Sequence, residues 1–271
     1  MAQSMTLRRL ASRVRARGRI ATMQSYLSLR RRLTGGPFWV DHGCIQLPFN
    51  GDGDRQELHY HIDGKDWWHK EMRLMSPYVG LNDVAVDVGA NLGFMSGILS
   101  KLTGPGGQVH SFEPSPRTYS KLLSVIRTNN YSNVSPYNAG CGKSEQTMTL
   151  YCPASSGNAT LRPDAKMAQT ALQEQTVRIL KLDDFLGPKL DRLNFIKIDT
   201  EGFELEVLVG ASELVRRYKP IIYIELGSLY SSSSEDAVRL LRDFGYTFDR
   251  ELVLDDAFSG ENFFAFPPAS N

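Results

Sequence analysis

The chain has 271 residues, of which 41% are hydrophobic, 10% aromatic and 23% charged. That supports one large core, or one core with an appendage, and excludes a disordered chain, a collagen-like repeat and a small disulfide scaffold. The net charge of +1 hides an asymmetry: the first 40 residues hold nine arginines and no acid, which leaves 22 basic against 30 acidic groups for the rest.

An acidic body lacks the broad basic face that grips nucleic acid. Cys44, Cys141 and Cys152 are too widely spaced for a zinc knuckle. Their odd number fits a reducing compartment, so a cytoplasmic location is expected. No run reaches 18 apolar residues, so no transmembrane helix is expected.

Residues 1–36 form a basic arm that ends at Gly35-Gly36-Pro37. Three readings compete: a solvated helical arm, an interfacial helix drawn to anionic membrane, and an organelle transit peptide. A secretory signal peptide is disfavoured, because no apolar segment follows the arginines. Residues 37–80 read as an α+β lead-in. Glu57 to Ile62 suits a strand, Asp63-Gly64 a turn and Asp66 to Met75 a helix stopped by Ser76-Pro77. This segment holds His42, His59, His61 and His69 with Trp39, Trp67 and Trp68, which suits a substrate lid.

Residues 81–271 read as one α/β domain. Val84 to Val88 is a short apolar run, as in a strand buried on both faces. Gly89 to Gly93 is a tight loop and Phe94 to Leu102 a helix. Val109 to Phe112 is a second strand. Ser115 caps the next helix with Pro116 at its first position, and Tyr119, Leu122, Leu123 and Ile126 make its apolar stripe. Val134 to Asn138 is a third strand.

The alternation then breaks. Thr147 to Tyr151 and Val177 to Leu182 read as strands joined by a polar loop. It resumes with a strand over Phe195 to Asp199, one helix over Phe203 to Tyr218 and a strand over Ile221 to Glu225. A helix capped by Ser234 runs to Phe244, with Gly245 as its stop. Tyr246 to Phe248 and Phe263 to Phe266 close the chain as a hairpin. The pattern predicts a mostly parallel sheet with helices on both faces and one antiparallel strand.

Two signals point to a nucleoside-bearing ligand. Asp87 closes the first buried strand, and Gly89, Asn91 and Gly93 lie in the loop that opens the following helix. Asn91 stands where a pyrophosphate fingerprint needs glycine, and Asp87 suits a cationic aminoacyl group bearing a sulfonium. Glu113 ends the second strand, where an acid receives ribose hydroxyls in nucleotide-binding sheets. Without the glycine fingerprint, a nicotinamide dehydrogenase is disfavoured.

These residues resemble class I S-adenosylmethionine-dependent methyltransferases. The run from Phe195 to Ala211, with Phe112-Glu113-Pro114-Ser115 and Leu182-Asp183-Asp184-Phe185, resembles the signature of the FkbM-type family. The resemblance covers about residues 80–228. It implies a Rossmann-like class I fold, methyl donation from S-adenosylmethionine, and O-methylation of a small molecule, sugar or glycan. It also implies cofactor contacts at Asp87, Gly89, Asn91, Gly93 and Glu113, with Asn138, Ala139 and Gly140 lining the adenine pocket.

The acids Asp199, Glu201 and Glu225 end the fourth and fifth parallel strands, and the fold that the resemblance implies reverses its strand order beside the fourth. Ligands bind at that point, and an alcohol needs a positioned base. Asp199 is the first choice for base or acceptor-orienting group, then Glu201, then Glu225. Against this, Glu201 equally suits a cap of the following helix, and Lys197 an ion pair on the same strand. Oxygen ligands here would suit magnesium or calcium, but the spacing does not demand a metal. His59-x-His61 lacks a third ligand for zinc. The competing functions are a nucleic-acid methyltransferase and a non-catalytic cofactor-binding adaptor. Against the first, Asp199-Thr200-Glu201-Gly202 is not an Asn/Asp-Pro-Pro-aromatic clamp.

Overall fold

The computed structural model describes residues 38–41, 44–49, 66–153, 159–162, 172–227, 231–250 and 261–269. The basic arm, the strand and turn expected over residues 57–64, and His42, His59 and His61 of the expected lid lie outside them. By packing, the chain divides into Met1–Lys70 with Ser155–Gly157, and Glu71–Ala154 with Asn158–Asn271. In the first unit β1 (Phe38–Asp41) pairs antiparallel with β2 (Gln46–Phe49). Residues 66–75 form α1, as the sequence predicts.

The second unit is built on a seven-stranded sheet. Its strands are β3 (Val84–Val88), β4 (Gln108–Phe112), β5 (Val134–Tyr137), β9 (Phe195–Ile198), β10 (Ile221–Leu226), β11 (Thr247–Phe248) and β12 (Glu261–Phe266). They lie in the order β11-β12-β10-β9-β3-β4-β5. β12 runs antiparallel to the other six. Residues in β3 are buried throughout, which is why it shows no polar alternation.

Helices cover both faces. α2 (Phe94–Thr103) and α3 (Pro116–Thr128) follow the first two strands, and Ser96 of α2 reaches Asp87 on one face. On the other face, Val84, Val86, Val88, Ile196, Ile198, Ile222 and Ile224 pack with apolar residues of α4 (Leu182–Leu186), α5 (Glu204–Gly210), α6 (Ser212–Tyr218) and α7 (Ser231–Asp243). The interruption in the alternation is a separate three-stranded sheet, β6-β8-β7. It contains β6 (Gly140–Cys141), β7 (Gln146–Pro153) and β8 (Leu172–Leu180), with Leu150, Val177 and Ile179 as its small core.

Ser115 caps α3 and Pro116 opens it, as expected. The stripe of α3 is rotated from the expected one, however. Leu122, Val125 and Ile126 are buried with Lys121, while Tyr119 and Leu123 are half-buried; Leu122 and Val125 pack at Gly93, where α2 begins. Ser234 does not cap α7, which begins three residues earlier; its hydroxyl instead bonds the backbone of Gly227.

The single helix expected over Phe203 to Tyr218 is two helices broken at Ala211. Two long-range contacts cause the break. A Cβ on Gly210 would lie 2.0 Å from the Gly142 carbonyl oxygen, so α5 ends against the backbone after β6. The Asp183 carboxylate accepts the amides of Glu213 and Leu214, at 3.1 and 2.9 Å. A side chain 30 residues away thus serves as the N-terminal cap of α6. Asp183→Ala is expected to lower stability by about 1–2 kcal/mol, the cost of a lost cap, read as a lower denaturant midpoint at unchanged slope.

Candidate active site

The site forms where β3 and β9, neighbours in space but distant in sequence, leave the sheet in opposite crossover directions. Asp87 pairs with Lys197 across β3 and β9, and Lys197 with Tyr223 across β9 and β10. The three therefore share one face. Asp87 has no exposed surface. One of its oxygens accepts the Ser96 hydroxyl at 2.6 Å, and Ser111 in turn donates to Ser96. The other oxygen faces the buried Lys197 ammonium at 3.4 Å.

Lys197 also stands 3.3 Å from Asp199. It donates to the Gly89 carbonyl at 2.9 Å and lies 3.4 Å from that of Val88. Asp87 is thus linked to the glycine loop through Lys197. The amides of Gly89 and Ala90 donate to the Phe112 carbonyl. A Cβ on Gly89 would lie 1.9 Å from the Asp199 carbonyl oxygen, and its φ is +77°. The first glycine is therefore needed where the β3 and β9 loops touch. Asn91 and Gly93 also adopt positive φ.

Glu113 reaches back to this loop. Its carboxylate accepts the Asn91 amide at 3.0 Å and the Ser115 amide at 2.9 Å. Burial pushes its carboxyl up to about 7, against the pull of those two amides and of Lys197. Each oxygen keeps a second acceptor position. The Asn138 side chain donates to the carbonyls of Glu113 and Pro114. Ala139 and Gly140 are buried, with Gly140 close to Pro114, Leu161 and Ile179.

The three expected acids come together. Asp199, Glu201 and Glu225 each offer an oxygen within 4.8 Å of the others, a spacing in which a hard cation could also be held. Burial would raise the Asp199 carboxyl, but the Lys197 ammonium and hydrogen bonds from Glu225 and Lys197 bring it below its ordinary value. Burial, the Asp199 charge and the bond to Asp199 push Glu225 up to about 9. The charged form is thus favoured at Asp199 and the neutral form at Glu225. Burial and the charges of Asp199 and Glu204 push Glu201 up to about 7.

Glu201 does not cap α5. Its backbone is left-handed, with φ +55°. Glu204 takes the organising role instead: one of its oxygens accepts the amides of Thr200 and Gly202 and the Thr200 hydroxyl. Nothing local in the chain signals this, because Thr200 and Glu204 are four residues apart and a capping box needs three. Nor did it signal Tyr223, whose hydroxyl approaches buried Glu71 at 3.5 Å.

Residues 87–248, more than half of the chain, match the Methyltransferase FkbM domain. The chain is 32% identical over 146 residues to Methyltransferase 1 of Beauveria bassiana (strain ARSEF 2860), covering 47% of this chain and 58% of that protein. It is 31% identical over 163 residues to Methyltransferase sdnD of Sordaria araneosa, covering 49% and 61%. The matches thus span less than two thirds of these curated relatives. The crystal structure of Methyltransferase FkbM from Methylobacillus flagellatus KT aligns with a TM-score of 0.49 at 20% identity, over 77% of this chain and 52% of that one. With the glycine loop, the Glu113 tether and the acid cluster at the strand crossover, the domain match gives the chain its family: it belongs to the FkbM methyltransferases, whose methyl donor is S-adenosylmethionine.

Proposed function

We propose that the protein methylates a hydroxyl of a small molecule, sugar or glycan. The observation that carries this reading is the cluster of Asp199, Glu201 and Glu225 beside the glycine loop, at the carboxyl ends of β9 and β10. That is where an open α/β sheet binds its ligands.

The residues fit the donor. Glu113 has acceptor capacity left for two ribose hydroxyls. The loop from Gly89 to Gly93 offers backbone at close range, and Asn138, Ala139 and Gly140 follow β5 toward the base. S-adenosylmethionine supplies an electrophilic methyl group on a sulfonium. The chain's own task is to place a hydroxyl in line with that methyl and to remove its proton.

Asp199, ionised and held by Lys197 and Glu225, orients the hydroxyl. Glu201 takes the proton, because a base poised near 7 is matched to neutral pH. Glu225 keeps its own proton and spares the site a third negative charge. Among the described residues no helix is long and apolar enough to cross a membrane. In this reading residues 81–271 carry the chemistry.

A donor-consumption assay against glycans, lipids and polyketide-like alcohols tests the acceptor class; turnover confined to amines or nucleic acid overturns it. Asp199→Asn should lower turnover about 10²-fold, the cost of misplacing the acceptor hydroxyl, at little cost in S-adenosylhomocysteine affinity. The wild-type rate should fall as the pH drops through about 7, where Glu201 gains a proton. Glu201→Gln should be slow at every pH and lack that limb, and a limb that survives in this variant excludes Glu201 as the base.

Glu113 gives a separate pH signature. Its ionised form is the better acceptor for ribose hydroxyls, and it titrates at about 7 in the free protein. S-adenosylhomocysteine should therefore bind more tightly as the pH rises from about 6 to 8. Glu113→Gln should weaken binding by about 1.5–3 kcal/mol, the worth of hydrogen bonds to a charged group, and flatten the dependence. Calorimetry at several pH values reads both effects.

A further inference from the structure

The short segment 159–162 lies between β7 and β8 of the small sheet, and its role follows from one buried hydroxyl. Thr160 is 2% exposed. Its backbone is bridged to Tyr151 of β7 in both directions, with bonds of 2.9 and 3.0 Å. Its Oγ1 donates to the Glu201 carbonyl oxygen at 2.7 Å and accepts the Arg162 amide at 3.0 Å.

Glu201 stands at left-handed φ, which a residue with a Cβ adopts only when its surroundings impose it. The amides on either side, of Thr200 and Gly202, are held by Glu204. The Glu201 carbonyl is held by Thr160. The peptide plane that carries this carboxylate is therefore clamped from two elements. Arg162 secures the same segment through an ion pair with Glu206, and it stacks over the Phe203 ring at 5.4 Å.

We infer that Thr160 is a positioning residue for Glu201: its hydroxyl holds the strained turn that aims the Glu201 carboxylate at Asp199 and Glu225. The small sheet thereby sets the geometry of the acid cluster. This rests on the proposed role of Glu201 only for its catalytic meaning, because the positioning itself is visible without turnover. Without the hydroxyl the turn relaxes and the carboxylate swings away from Asp199, Glu204, Glu225 and Lys197 toward water.

The test is carbon-13 NMR titration of glutamate-labelled full-length protein, with the Glu201 signal assigned by its loss in Glu201→Gln. Glu201 should titrate near 7 in the wild type and in Thr160→Ser, which keeps the hydroxyl. In Thr160→Val and Thr160→Ala it should titrate lower by about one pH unit or more, as desolvation and carboxylate repulsion are relieved. S-adenosylhomocysteine affinity should be the same in all four proteins, because Thr160 has no part in the donor site. An unshifted Glu201 signal in folded Thr160→Val or Thr160→Ala overturns the inference, and so does a Thr160→Ser variant that behaves like Thr160→Val. If Glu201→Gln remains fully active while Thr160→Val shifts the signal, the base assignment fails and the positioning role stands.

Discussion

The buried ammonium of Lys197 is the interaction on which the site depends. It sits between Asp87 and Asp199 and bonds the carbonyl of Gly89. One cation thereby joins the strand that opens the glycine loop, the strand that carries the acids and the loop itself. Its own desolvation is offset only because two carboxylates and backbone oxygens surround it. Removing Lys197 would leave the buried Asp87 charge without its counter-ion, at a cost of about 3–5 kcal/mol. The network extends through Ser96 and Ser111 on the Asp87 side.

The same cation separates the properties of the three acids. Asp199 is next to it and stays ionised, while Glu225 and Glu201 lie further out and feel the Asp199 charge as well as their burial. Groups of one chemical type thus acquire different protonation states from their order along the crevice. Such divergence is how a cluster of carboxylates divides orienting from proton-accepting work.

The loop between β9 and α5 shows how strain is stabilised at such a place. Glu201 occupies a costly backbone conformation and Gly202 follows at φ +102°. Glu204 supplies acceptors to the flanking amides, and Thr160 supplies a donor to the carbonyl between them. The split between α5 and α6 belongs to the same arrangement. α5 packs against the backbone at Gly142, while α6 takes its cap from Asp183.

The sequence alone determined the strand–loop–helix order, the glycine loop, Glu113 at the end of β4 and the three acids at strand ends. Those features are local: apolar runs, turn residues and acids at strand ends depend on a few neighbouring positions. Even the Lys197 ion pair could be anticipated, since a lysine inside a buried strand needs a partner. Only the tertiary structure decided that Asp87 is buried against Lys197, that the β3 and β9 loops meet at Gly89, and that Glu204 orders the acid loop. It alone placed Thr160 on Glu201, 41 residues away, and Asp183 on α6. A hydrogen bond between distant residues leaves no periodicity in the chain. Its formation depends on which elements the packed sheet brings together, and that is settled when the crossovers close.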